Sequence, residues 1–371
     1  MLNYEELQSK VVQTGICTRC GACISACPND FIKFSNGEPN WFGARREDCT
    51  GCDKCYDACY MIRRELISSL GIFIFGRTKK TEIGVSKRIL SARTRDEKLK
   101  QFCQDGGIVT SLLIYLLEEK FIDGALVVGR EGWMPVASVV KSKEQIIHAA
   151  GTKYGVVPIL KGLKAAIGEY GLSRICVVGS PCHIQSVRYL QHSDSPFASM
   201  IKFTVGLFCR ENYDSHCIEE KVIGVGLNIK DIDKFNVSEE FDVYANGKKL
   251  SFPITDVKSC IPKHCLVCED FAGEFADISV GGDGSPEGWS TVVVRTEQGE
   301  SIFSECEENK VIETKPLQNL DYIMEIADRK KEKGKQTRGI FRLTEKGLEK
   351  KEIAIKLGIT EERVSHRLEG F

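Results

Sequence analysis

Short apolar runs separated by glycines and charges divide most of the chain into predictable elements. From residue 87, KRILSART alternates as a strand does, and IVTSLLIYLLEEK repeats its apolar positions at helical spacing. GALVVG and PVASVVKS read as two further strands. KEQIIHAA and PILKGLKAAIGEYG read as helices, then RICVVGS as a buried strand, HIQSVRYLQ as a helix and IKFTVGLFC as a strand. Helices interleaved with short apolar strands predict an α/β layer architecture. Past about 230 the pattern changes to hairpins: FDVYANGKKLSF carries an Asn-Gly turn, and STVVVRTEQGESIFSE predicts a second one.

The two ends of the chain are different. Residues 61 to 85 read as a helix running into a mixed linker. From 321 the chain starts helical and turns basic, with ten Lys and Arg against three Glu between Arg329 and Lys351. It closes with KKEIAIKLGITEERVSHRLEGF, where the Ala354 and Gly358 spacing and a capping Thr360 have helix-turn-helix form. The expected organisation is a cysteine-rich domain over 1–65, a linker over 66–85, an α/β (α+β) core over 86–320 and a small helical basic tail over 321–371.

Composition adds limits rather than a function. The 371 residues are 42% apolar and 28% charged with a formal net charge of −1, as in an ordinary soluble globular protein. Such a balance gives no general attraction to nucleic acid or anionic membrane. The opening MLNYEELQSK lacks the basic and apolar regions of an export signal. LISSLGIFIFG and IVTSLLIYLL are too short to span a bilayer. A cytoplasmic protein is expected, with peripheral attachment to the inner face of the membrane left open.

Seventeen cysteines are many for a reducing compartment, where tight spacing favours metal over disulfides. Two runs, CTRCGACISACPND from 17 and CTGCDKCYDACY from 49, read C-x2-C-x2-C-x3-C. Each such run turns three sulfurs toward one point and lends its fourth cysteine to the other cluster. Cys17, Cys20, Cys23 and Cys59 are therefore expected to hold one 4Fe–4S cluster, and Cys49, Cys52, Cys55 and Cys27 a second. Structural zinc closes with two pairs, not two runs of four. Pro28 follows the first run, whereas Tyr60 stands where the second run usually has proline.

Farther on, Cys260, Cys265 and Cys268 form C-x4-C-x2-C, three ligands of a third cubane. The fourth is expected from Cys182 or Cys209, each of which closes an apolar strand. Cys182 at a helix start, with His183 beside it, also permits a reactive thiol, although adjacent residues in a turn rarely face one another. Three glycine-bearing stretches add ligand chemistry. CQDGGIVTSLL puts a Gly-Gly pair before a helix whose free amides can receive a phosphate. AGTKYG sets a hydroxyl, a cation and an aromatic in succession, and GGDGSPEGW lets backbone approach a ligand closely with a Trp to cover a ring.

DGGIVTSLL, GTKYG, GSPCHIQ, GLFC, CIPKHCLVCEDF and DISVGGDGSPEGWSTVVVRT occur in one order over roughly 87 to 300. Together they resemble the beta subunit family of coenzyme F420 hydrogenases and dehydrogenases. Fused to a two-cluster ferredoxin, they resemble the F420H2-oxidising input subunits of methanogenic archaea. The resemblance implies a flavoprotein core that binds FAD, one 4Fe–4S cluster beside it (three in all), and coenzyme F420 as substrate over the flavin. It places cofactor contacts at Gly106, Gly107, Thr110, Thr152, Lys153, Tyr154, Gly281, Gly282, Asp283, Trp289 and Ser290. No side chain is expected to act as a catalyst, because the flavin carries the hydride chemistry. Expected partners are a redox protein or complex: membrane F420H2 dehydrogenase, heterodisulfide reductase, sulfite reductase or ferredoxin. Two other readings fit the same residues: a ferredoxin-dependent flavin reductase of another substrate, and an iron–sulfur redox-sensing regulator whose tail binds DNA. Nucleic acid is the less expected partner of such a tail.

Overall fold

The computed structural model describes residues 3–43, 46–78, 81–193, 195–237 and 240–369. Near the N-terminus a small hairpin joins β1 (Ile32–Ser35) to β2 (Glu38–Trp41). The core strands are β3 (Arg88–Thr94), β4 (Gly124–Glu131), β5 (Met134–Val140), β6 (Ile175–Gly179) and β7 (Ile201–Leu207). A separate antiparallel sheet follows, of β8 (Ile232–Val237), β9 (Glu240–Ala245) and β10 (Lys248–Pro253). The chain then returns to the core with β11 (Ile278–Gly281), β12 (Ser290–Val294) and β13 (Ile312–Pro316).

Among the described residues the core is one eight-stranded sheet, ordered β13-β3-β12-β11-β7-β6-β4-β5. Its centre, β11-β7-β6-β4, is parallel, and its flanks are antiparallel. The centre is covered on both faces, so every residue of β6 is buried and its sequence ICVVG has no polar alternation. Cys176 and Val178 face one side with the helices Ile108–Glu118 and Glu297–Glu308, which contribute Leu112, Leu116, Ile302 and Phe303. Ile175 and Val177 face the other, against Gly162–Gly168 and Pro181–His192, which contribute Leu163, Ala166, Val187 and Leu190. Parallel strands share a direction, so β6, β7 and β11 all end on one edge, at Gly179, Leu207 and Gly281. In open α/β sheets ligands collect at that edge.

The predicted elements from KRILSART to IKFTVGLFC appear in order. Asn246 and Gly247 make the expected hairpin turn, both at positive φ. STVVVRTEQGESIFSE is different: it is strand β12 followed by a helix, not a hairpin. The reason is local. Thr296 accepts a hydrogen bond from the Gly299 amide, Glu297 and Glu300 occupy the first turn, and Ile302, Phe303 and Cys306 form a helical stripe.

The cysteine-rich segment packs on the core rather than hanging from it. Ala22 and Ala58 join the apolar cluster formed with Leu160, Leu163 and Leu190. The Leu160 amide donates to the Cys20 carbonyl at 2.9 Å, and Ser25 Oγ donates to the Leu160 carbonyl at 2.6 Å. Gly21 sits at φ +89, and a Cβ there would lie 2.6 Å from the Lys161 nitrogen. Only glycine permits that contact without displacing backbone. Within the expected linker, Ile67–Phe75 is a helix that packs beside Pro181–His192. No helix among the described residues is long and apolar enough to cross a membrane.

One buried cation ties the linker to the sheet. The Arg295 guanidinium, 2% exposed, donates to the carbonyls of Ile83 (2.8 Å), Val85 (2.7 Å) and Ala272 (2.9 Å), and to Ser279 Oγ (2.8 Å). Burial brings its pKa down to about 10. Arg295→Met would leave three carbonyls without a donor and should cost about 3 kcal/mol or more of stability. Thermal unfolding under anaerobic conditions checks this; an unchanged midpoint would show these bonds to be dispensable.

Candidate functional site

The first sixty residues build two groups of thiols. Cys17, Cys20, Cys23 and Cys59 line a small void under Thr18 and Met61. Burial pushes the Cys17 thiol up to about 12, with Cys20 adding to it. Burial likewise raises Cys23, with Cys17, Cys20 and Cys59 as its charged neighbours. The second group is seen from Cys55, pushed up to about 12 by burial and then by Cys49, Cys27 and Cys52. The fourth cysteine of each run thus stands with the other run's three. Amides point at the sulfurs: Arg19 N lies 3.4 Å from Cys17 Sγ, and Phe31 N lies 3.3 Å from Cys27 Sγ.

A third group forms at the carboxyl edge of the sheet. Cys182 sits in the first turn of Pro181–His192, just past β6, and Cys209 lies two residues past β7. Cys265 and Cys268 come from the short helix Lys263–Leu266 and the turn after it. All four line one cavity of about 410 Å³. Burial raises Cys182 well above an ordinary thiol, against a hydrogen bond to Ser180, and Cys268, Cys209 and Cys265 add to the shift. Burial also lifts Cys265 to about 12, with Cys209 and Cys268 contributing. Four thiols around one cavity, which would repel one another as thiolates, are a fitting donor set for a cubane, whose iron would supply the missing positive charge. Among the described residues no three His, Cys, Asp or Glu close around a single metal ion.

Two expectations change here. Cys182 and Cys209 both face the cavity, rather than one of them. Cys260, expected as a ligand, is in a disulfide with Cys217. It ends the turn Ile254–Cys260, packed with Val257, Ile218 and Val222 beside the helix Ser215–Gly224, and it does not line the cavity of Cys265 and Cys268. His183 is no partner for Cys182 either. Its Nε2 donates to the Val157 carbonyl at 2.9 Å and its Nδ1 accepts from Ser180 at 2.9 Å, while burial brings its pKa down to about 4. A neutral imidazole with both nitrogens engaged is structural.

The glycine-bearing stretches meet on the same edge of the sheet. Gly106 N donates to Ser290 Oγ at 3.0 Å, and a Cβ at Gly106 would lie 2.4 Å from the Ala92 carbonyl. Gly107, at φ +70, caps Ile108–Glu118, whose first turn carries the buried Thr110. Thr152 N donates to Gln104 Oε1 at 3.2 Å. A Cβ at Gly282 would meet Asp105 at 2.8 Å, and one at Gly281 would enter the Phe208 ring. Asp283 pairs with Arg210 at 2.5 Å. Burial raises Asp105, with Asp283 adding to it. Two residues behave differently. Lys153 folds back onto the carbonyls of Ala149, Ala150 and Gly151, and burial lowers its pKa to about 8. Tyr154 packs into the apolar cluster beneath β8–β10. Trp289 carries Lys315 on its ring at 3.9 Å from the centroid and Arg93 at 4.5 Å.

Sequence reasoning missed the charged wall of the cavity. Lys330 and Arg338 reach it from the helix Leu320–Glu345, and Arg64 from the segment after the second cysteine run. Burial opposes the Lys330 ammonium, but Cys268, Cys209, Cys265 and Asp270 outweigh it and hold its pKa above the usual lysine value. The basic count of the tail was the available signal. Tyr60, in the usual proline position, is 3% exposed and also lines the cavity. Its phenol is raised by burial, and Cys182, Cys20 and Cys268 are near enough to add to it.

Fold and site together define an iron–sulfur type of α/β protein with its thiols at the carboxyl edge of a parallel sheet. Residues 16–63 match the 4Fe-4S dicluster domain. Residues 89–164 and 172–319 match the N-terminal and C-terminal parts of the coenzyme F420 hydrogenase/dehydrogenase beta subunit, and the chain belongs to that family. It is 35% identical to coenzyme F420 hydrogenase subunit beta of Methanothermobacter thermautotrophicus, over 68% of this chain and 94% of the relative. It is 34% identical to the coenzyme F420-dependent sulfite reductase of Methanocaldococcus jannaschii over 85% of this chain, but spans only 50% of that protein's length. Among solved structures, the F420-reducing NiFe hydrogenase complex from Methanosarcina barkeri contains a chain similar to this one. That chain has TM-score 0.67 and 34% identity, with 70% of this chain and 93% of that chain covered.

Serine at each of Cys182, Cys209, Cys265 and Cys268 should remove about one third of the protein's iron, as expected for one cubane of three. Cys260→Ser should leave iron unchanged. Iron and sulfide analysis of anaerobically purified variants reads this directly. Iron loss in the Cys260 variant alone would reinstate the C-x4-C-x2-C ligand set.

Proposed function

We propose that the chain is an electron-input subunit that oxidises reduced coenzyme F420, or reduces the oxidised coenzyme, and exchanges single electrons with a partner redox protein. A bound flavin would accept a hydride as two electrons and release them one at a time to clusters, which carry one each. The carrying observation is the single edge of the sheet where the cavity of Cys182, Cys209, Cys265 and Cys268 adjoins the loops around Gly106, Thr152 and Gly282. Family membership supports the coenzyme, and the dicluster match supports the outlet.

The chain's own residues supply placement. Gly106 and Gly282 let their loops close against the Ala92 carbonyl and the Asp105 carboxylate, and FAD would lie along the rim these loops form. Gly107 positions the first-turn amides of Ile108–Glu118, and Ser290 holds the Gly106 amide. Trp289, Ser290 and Asp283 complete the rim, while Lys153 stabilises the AGTKYG loop from within instead of reaching outward. Tyr60 lines the cavity with Cys182 and Cys268 and is also near Cys20, which supports transfer from the core thiol group to the group of Cys17, Cys20, Cys23 and Cys59. The outer group with Cys27, Cys49, Cys52 and Cys55 would then face the partner: a membrane F420H2 dehydrogenase, a heterodisulfide reductase, a sulfite reductase or a free ferredoxin.

Anaerobic mixing with reduced coenzyme F420 should bleach a protein-bound flavin and then develop cluster signals in electron paramagnetic resonance, whereas NADH and NADPH should do neither. Bleaching by a nicotinamide alone would remove the coenzyme assignment. Absence of any flavin released on denaturation would remove the flavoenzyme.

A further inference from the structure

The C-terminal helix begins at Leu320, one residue beyond the part of the chain that matches the family. Even so, it crosses directly over the core thiols. Ile323, Ile326 and Ala327 bury it against Ile83, Phe271 and Val293. Lys331, 2% exposed, pairs with Glu274 at 2.8 Å and fixes its rotation. Gly334 is where the helix touches the ligand loop: a Cβ there would lie 2.6 Å from the Cys268 carbonyl oxygen. Lys330, Gly334 and Arg338 are four residues apart, so they share one face. That face looks into the cavity, where Lys330 and Arg338 both line the wall.

The two cations are not equivalent. Arg338 is paired with Glu269. Lys330 donates to the Cys209 carbonyl, and among the described residues it has no carboxylate at ion-pair distance. Nearby acids are otherwise engaged: Glu274 with Lys331, Glu211 with Lys333, and Asp270 with Gln185 and the amides of Gly273 and Glu274.

We propose that Lys330, delivered by the C-terminal helix, is a positioning residue that raises the reduction potential of the cluster held by Cys182, Cys209, Cys265 and Cys268. The inference rests on the reading that these thiols hold a cluster. A cubane with four thiolates gains one negative charge on reduction, and net charge and hydrogen bonding at the ligands are what a protein uses to set its potential. An ammonium at the cavity wall, with no carboxylate at ion-pair distance among the described residues, favours the more negative, reduced form. On this view the basic tail belongs to the electron path, and its lysine makes the core cluster a better acceptor from the flavin side.

The test is a redox titration of the anaerobic holoprotein followed by electron paramagnetic resonance. The core signal is identified as the one lost in Cys268→Ser. In Lys330→Gln the reduced-to-oxidised ratio of that signal at fixed potential should fall at least tenfold, which is ~59 mV for one electron. Lys330→Arg should stay within threefold of the parent. Lys335→Gln, which removes the same charge from an exposed position on the same helix, should also stay within threefold. An unmoved core midpoint in Lys330→Gln, or an equal shift in Lys335→Gln, overturns the proposal. If the glutamine variant keeps no core iron, Lys330→Met replaces it: a tenfold fall there supports the proposal and an unmoved core midpoint overturns it. Should Cys268→Ser abolish no signal, the cluster reading itself fails, separately from the role of Lys330.

Discussion

Gathering four thiols around one cavity is the constraint around which this molecule is organised. Cys182, Cys209, Cys265 and Cys268 line one cavity, and burial raises the thiols of Cys182, Cys209 and Cys265. The parallel sheet makes the arrangement possible. β6 and β7 run the same way and end together, so cysteines just past each arrive at one place although 27 positions separate them in sequence. The third contributing segment, with Cys265 and Cys268, follows directly on the turn Ile254–Cys260, which packs under β8–β10.

The segments flanking the core share in closing that cavity. From the N-terminal side come Thr18, Tyr60 and Arg64; from the C-terminal side come Lys330 and Arg338. Gly21 against Lys161 and Gly334 against Cys268 show how closely each is fitted, since a methyl group at either position would meet backbone. This geometry also bears on the helix-turn-helix form of the tail. The helices Lys350–Leu357 and Glu361–Glu369 do follow one another around Gly358, with Thr360 accepting from the Arg363 amide. However, Lys330, Lys331 and Arg338 of the preceding helix are turned inward, toward thiols and glutamates, and not toward a phosphate backbone.

Legibility differed from place to place for physical reasons. The two N-terminal runs were readable because their ligands are local: a turn of three residues brings each pair of sulfurs to one point. Central strands were readable because ICVVG and its neighbours have no polar alternation and helices separate them. STVVVRTEQGESIFSE misled because its Gly299 resembles a turn, whereas the Thr296 cap and the stripe of Ile302, Phe303 and Cys306 make it a helix start. Cys260 misled for a similar reason. Its spacing to Cys265 fits a ligand run, but its packing turns it toward Cys217, 43 residues away.

By itself, then, the sequence determined the iron–sulfur chemistry of the first sixty residues, the α/β layering and the family, since all of these are written in local spacing and short motifs. The tertiary structure decided which distant thiols meet, that Cys182 and Cys209 join Cys265 and Cys268 while Cys260 leaves, and that Lys330 closes the same cavity. Those outcomes depend on strand order and helix rotation. Both are set by burial across the whole sheet, and no short window of residues carries that information.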